Sequence, residues 1–62
     1  MPIVQISILE GRSKEQVAGL IAEVTDACVN NLQVKKEQVR VLVTEIPASH
    51  WGAGGVTKDQ QS

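Results

Sequence analysis

Four residues of this 62-residue chain carry chemistry beyond packing: Pro2, Arg12, Arg40 and Trp51. The chain opens Met-Pro, and removal of an initiator Met before a small residue is routine, so Pro2 is expected to bear a free secondary amine. An α-amino group titrates at about 7.7–8.0 in solution. Burial and a nearby cation both lower that value, because each disfavours the charged form. A base poised near neutral pH is what proton transfer requires, although many chains begin Met-Pro for processing alone. Arg12 and Arg40 are the only arginines, against four lysines. Arg40 sits in an otherwise apolar run, opposite in phase to Val39 and Val41. An arginine there either makes a structural ion pair or offers its planar fork to an anion. Trp51 is the only aromatic residue; beside Gly52, it is either an assembly anchor or an apolar pocket wall.

Other residues invite chemical readings that plainer ones outweigh. Gly52-Ala-Gly-Gly55 has neither the strand-to-helix context nor the following Lys-Ser/Thr of a phosphate cradle, and suits a hairpin turn. Cys28 falls on an apolar helix stripe and reads as a small buried hydrophobe rather than a reactive thiol. His50 has no orienting carboxylate at a readable spacing and is expected at a surface or hinge. Glu10 and Glu45 follow strand ends, where solvated turn and edge positions account for them.

The elements that position these groups follow from periodicity. Residues 3–9 alternate, with Val4, Ile6 and Ile8 on one face and Gln5 and Ser7 on the other, which predicts a strand. After a turn at 10–12, Ser13-Lys-Glu-Gln16 fits a capping box. Val17, Leu20, Ile21, Val24, Cys28 and Leu32 then form one apolar stripe, predicting a helix over 14–32. Asn30-Asn31 is expected to fray its end, and Gly19 is a mild local cost. Residues 39–46 form a second β-branched strand, stopped by Pro47. The three glycines after Trp51 predict a short hairpin or bulged edge, and the polar tail over 57–62 is expected to fray. The whole is one α/β (α+β) domain over 1–62, a β-α-β unit with parallel strands.

Composition bounds what such a unit can be. A chain this short buries too little surface to be more than marginal alone, and disulfides, metals or oligomerisation usually supply the rest. One Cys and one His exclude an internal disulfide and a conventional zinc site. Both faces of the second strand hold apolar residues, Val39, Val41 and Val43 on one and Leu42 and Ile46 on the other. One helix covers only one face, so the unit is expected to pair with copies of itself. A net charge of −1 and the absence of Phe and Tyr argue against nucleic acid as a partner. No apolar run approaches a membrane span and no signal peptide is legible, so a cytoplasmic location is expected.

Geometry links three of these residues. At about 3.3 Å per residue, the first strand separates Pro2 from Arg12 by roughly 20–25 Å. Arg40 opens a parallel strand and lies at the Pro2 end. A second copy running antiparallel across a two-fold axis brings its Arg12 to this chain's Pro2.

Pro2 behind a removable Met, Ile-Leu-Glu-Gly-Arg at 8–12, Val-Arg at 39–40, Thr-Glu at 44–45 and His-Trp-Gly-x-Gly-Gly at 50–55 together resemble the 4-oxalocrotonate tautomerase (2-hydroxymuconate tautomerase) family. The resemblance covers residues 2–55. It implies a trimer of dimers, an isomerase of aromatic hydrocarbon catabolism, and no metal or organic cofactor. It implies that Pro2 takes the 2-hydroxyl proton of 2-hydroxymuconate and delivers it to C5, giving the 2-oxo-3-enedioate. Arg40 then holds the 2-oxygen and adjacent carboxylate, Arg12 the distal carboxylate, and the backbone near Leu9 adds a contact. Trp51 takes the place of the family's usual Phe as a pocket wall, a departure that enlarges the wall and bears on substrate preference. Ser7 stands where some relatives carry His, and is read as non-catalytic. Two other expectations compete: hydration or dehalogenation of a small unsaturated acid at the same proline, with Glu45 as the acidic group, and an oligomeric scaffold without turnover.

Overall fold

The computed structural model describes residues 1–60. Alternating β-branched residues form β1, Ile3–Leu9, and the apolar stripe forms α1, Lys14–Leu32. The capping box is closed in both directions. Ser13 Oγ accepts from the Gln16 N–H at 3.1 Å, and Gln16 Oε1 accepts from the Ser13 N–H at 2.9 Å, so two amides left free by helix geometry find partners. The other end of α1 is tied rather than frayed. Gln33 adopts a left-handed φ of 58° and donates its N–H to the Val29 carbonyl at 3.1 Å, while Asn31 Nδ2 donates to the Ala27 carbonyl at 2.7 Å. A left-handed cap of this kind satisfies carbonyls that the helix cannot.

The second strand, β2, runs Arg40–Ile46 and starts one residue later than 39–46. Val39 instead closes a 3₁₀ turn, Lys36–Gln38, donating its N–H to the Lys36 carbonyl at 3.2 Å. β1 and β2 pair in parallel, with Ile3 opposite Arg40 and Leu9 opposite Ile46, and α1 is the crossover between them. Val4, Ile6, Ile8, Val41 and Val43 are half-buried, while their alternating neighbours Ile3, Gln5, Ser7, Leu42 and Thr44 are exposed. The helix thus covers one face of the two-stranded sheet and leaves the other open. After Pro47 and a 3₁₀ turn, Ala48–His50, the chain forms an antiparallel hairpin of β3, Gly52–Ala53, and β4, Val56–Thr57. Its two-residue turn places Gly54 and Gly55 at φ 64° and 83°, the doubly positive pattern of a type I′ turn. Beyond Thr57, Lys58–Gln60 form a further 3₁₀ turn, and Lys58 donates its N–H to the Trp51 carbonyl at 2.7 Å. Positions 61 and 62, part of the tail read as prone to fray, lie outside the described residues.

What the chain lacks is an interior of its own. Among the described residues Val39 alone is buried, at 8% exposure, while Ile3 and Leu42 on the open face keep 60% and 50%. The radius of gyration is 14.7 Å, against about 11 Å for a compact chain of this length. The accessible surface is 4788 Å², where a compact fold of this mass would show about 3,900 Å². An apolar face so open is unfavourable in water unless something covers it.

Candidate active site

The fold sets Pro2 and Arg40 at one end of the sheet and Arg12 at the other. At one end Pro2 is half-buried and Met1 stands out at 78% exposure. The Arg40 N–H donates to the Pro2 carbonyl at 3.0 Å, extending the parallel ladder by one bond. The two residues are therefore neighbours through the backbone, as the parallel register requires. The Arg40 side chain is not idle: its Nη1 donates to the Glu37 carbonyl at 2.6 Å and to the Val39 carbonyl at 3.3 Å. Of the two open readings of Arg40, the structural ion pair finds no support in these contacts, because its acceptors are backbone carbonyls.

The other end holds Leu9 and Arg12, and Trp51 follows the Ile46 end of β2 after Pro47 and the Ala48–His50 turn. Leu9 closes β1 in register with Ile46, and the Glu10 N–H donates to the Ile46 carbonyl at 3.0 Å. Gly11 then takes φ 115°, a conformation that L side chains rarely adopt, and turns the chain so that Arg12 stands immediately before the α1 cap. Arg12 is exposed and borders two grooves. One, of about 420 Å³, is lined by Lys14, Val17, Ala18, Ile21 and Glu45 as well. The smaller, about 150 Å³, adds Ile8, Gln16 and Leu20. Glu45, exposed and opposite Ile8 in the ladder, thus shares a groove with the arginine. Trp51 is half-buried just past the Ala48–His50 turn. Its N–H donates to the Ala48 carbonyl at 3.3 Å and its carbonyl accepts from Lys58, so the backbone on both sides of the indole is pinned.

Seven residues of β1 lie between Pro2 and the Arg12 turn, which at about 3.3 Å per residue is more than 20 Å. No single chain brings Arg12 to Pro2. β2 carries the backbone away from Arg40, so Trp51, read from sequence as a pocket wall, comes after the Ile46 end of β2 in its own chain. His50, exposed in its 3₁₀ turn, and Glu10, exposed, follow the plainer readings, while Cys28 on α1 is half-buried rather than buried. Sequence reasoning missed the 3₁₀ turn Lys36–Gln38 that holds Arg40. Its signal was the Lys35-x-x-Gln38 spacing, the same as that of the helix-capping pair Ser13 and Gln16.

Comparison with known proteins bears on these residues. The family model described as "Tautomerase enzyme" matches residues 2–61, beginning at Pro2. A 2-hydroxymuconate tautomerase of Pseudomonas putida is 53% identical over 55 residues, covering 89% of this chain and 87% of that one. A probable tautomerase of Ralstonia nicotianae is 47% identical over 58 residues, covering 94% and 83%. Among solved structures, a heterohexamer 4-oxalocrotonate tautomerase from Chloroflexus aurantiacus superposes with a TM-score of 0.92 at 34% identity, covering the whole of both chains.

Proposed function

The chain belongs to the tautomerase enzyme family, and from that premise we propose that it is a cofactor-independent isomerase of 2-hydroxymuconate-type dienols that uses Pro2 as its base. With Met1 attached, the Pro2 nitrogen is an amide without a basic lone pair, so the active form is the one from which Met1 has been removed. In the reaction the O–H bond at C2 breaks and a C–H bond forms at C5. The electron pair moves along the diene, and the product is a 2-oxo-3-enedioate of the same composition. Pro2 carries the proton from one atom to the other.

The remaining residues stabilise and hold. Arg40 takes the 2-oxygen and its neighbouring carboxylate, where negative charge builds up as the proton leaves. Arg12 of the partner subunit takes the distal carboxylate. Trp51 of the partner subunit walls the site and keeps water from the amine, and the backbone at Leu9 adds a contact. The amine takes the proton only in its neutral form, so turnover should fall at low pH.

The observation that carries this reading is the division of the site. The groups suited to one reaction stand at opposite ends of a chain whose open sheet face needs covering; antiparallel pairing brings the groups together, and packing of the paired chains on further copies covers the face. We place the enzyme in a hexamer, a trimer of dimers, in the cytoplasm and in aromatic hydrocarbon catabolism; none of the described helices is long and apolar enough to cross a membrane. Glu45 in the Arg12 groove favours a second reading, addition of water to an unsaturated acid at the same proline.

An absorbance assay of 2-hydroxymuconate, on protein whose amino terminus has been read by mass spectrometry, is the test. Processed protein should ketonise the substrate and chains retaining Met1 should not. Full activity with Met1 in place would sink the proline mechanism. Turnover of a halogenated or acetylenic acid with none of the dienol would favour the second reading, and failure with every substrate class a scaffold.

A further inference from the structure

The 3₁₀ turn before β2 is more tightly built than a connector needs. The Gln38 N–H donates to the Lys35 carbonyl at 2.9 Å, while Gln38 Oε1 accepts from the Lys35 N–H at 3.0 Å. The Val39 N–H closes on the Lys36 carbonyl, and Val39 is the one buried residue described. This reciprocal box leaves the turn little freedom. What the turn presents is the Glu37 carbonyl, 2.6 Å from Arg40 Nη1, with the Val39 carbonyl as the second acceptor at 3.3 Å.

Which nitrogen is engaged decides what the guanidinium can still do. Nη1 is the nitrogen on the Cδ side. With it bound to backbone carbonyls, the opposite edge, Nε–H and Nη2–H, stays free among the described residues. That edge is one of the two that match a carboxylate in a planar, two-bond pairing. A bare arginine chooses among its edges and rotamers and loses entropy in settling on one. Here the backbone has already chosen.

We propose that Gln38 is a positioning residue: by closing the 35–38 turn it holds the Glu37 carbonyl against Nη1 and sets the Nε/Nη2 edge of Arg40 toward the substrate's 2-oxygen and adjacent carboxylate. The inference rests on the function proposed for Arg40. Gln38 touches no reacting atom and acts through the backbone.

The test is a cycle of Gln38→Ala, Arg40→Ala and the double variant, with kcat and KM for 2-hydroxymuconate measured on processed protein whose melting and assembly match the parent. Gln38→Ala should lower kcat about 3- to 10-fold, the worth of one ordered hydrogen bond, with a smaller change in KM. In the Arg40→Ala background it should cost nothing further. Gln38→Glu keeps an acceptor oxygen at the same reach and should recover most of the loss. Gln38→Asn, a methylene short of Lys35, should not, and it stands in if Gln38→Ala fails to assemble. An equal loss in both backgrounds, or no loss beside a disabled Arg40→Ala, overturns the inference and leaves the proposed function standing. Full turnover by Arg40→Ala overturns both.

Discussion

The two ends of the parallel sheet are built in different ways. At the Pro2 end, local backbone decides almost everything. A ladder bond joins Arg40 to Pro2, and a closed turn engages the arginine's Nη1. At the Arg12 end, a glycine turn and a capped helix bring Arg12 to the rim of two grooves, and the side chain, exposed as that of Arg40 is, makes no hydrogen bond among the described residues. The first end is preorganised by its own chain. The second is presented outward, as a residue would be that serves a neighbouring subunit. In the proposed mechanism the same division separates the groups that meet developing charge from the group that anchors the far side of the substrate.

That contrast sets the order of expected effects. Pro2→Ala removes the secondary amine and should lower kcat on 2-hydroxymuconate by about 10²–10⁴-fold, the usual share of a positioned base. A rate within a few fold of the parent would strip the Pro2 end of its chemistry. Arg40→Ala should lower kcat by about 10²–10³-fold, as the loss of a preorganised charge at a developing oxyanion does.

Arg12→Ala should act on the other parameter, raising KM about tenfold with a lesser change in kcat, the signature of lost uniform binding. The two ends can then be separated by mixing. Chains carrying Pro2→Ala and chains carrying Arg12→Ala, unfolded and reassembled together, should recover sites in which an intact Pro2 faces an intact Arg12. A mixture no more active than the average of its parents would place both residues in one chain and refute the shared site.

The smallest effect belongs to the scaffold of the Arg12 end. Ser13→Ala should cost about 1 kcal/mol of stability, read as a lowered melting temperature, with kcat unchanged. A fall in kcat without a change in melting would mean that the cap orients Arg12.

Much of this was readable in the residues themselves. β1 and α1 stand where alternation and the helical stripe place them, because each pattern matches one backbone period and the capping box marks the helix start. The glycine hairpin followed from its turn chemistry. β2 starts one residue later than the pattern predicts, since a β-branched valine reads as strand whether it lies in the ladder or closes the turn before it. The turn itself does not stand out because Lys35, Lys36, Glu37 and Gln38 look like an ordinary solvated stretch. Their value lies in a backbone carbonyl, to which side-chain patterns are blind. Asn30-Asn31 misled for the opposite reason: their polarity suggests fraying, but the left-handed Gln33 ties the end through main-chain bonds.

Read alone, the sequence specifies the family, the order and type of its elements, the ends of the sheet at which Pro2, Arg40 and Arg12 lie, and the shortage of apolar material that calls for assembly. It can do so because these depend on local periodicity, on the direction a parallel crossover imposes and on how much there is to bury. What needed three dimensions was the closed turn before β2 and the edge of Arg40 that it leaves free. That edge depends on the positions of individual backbone carbonyls, and no one-dimensional pattern encodes them.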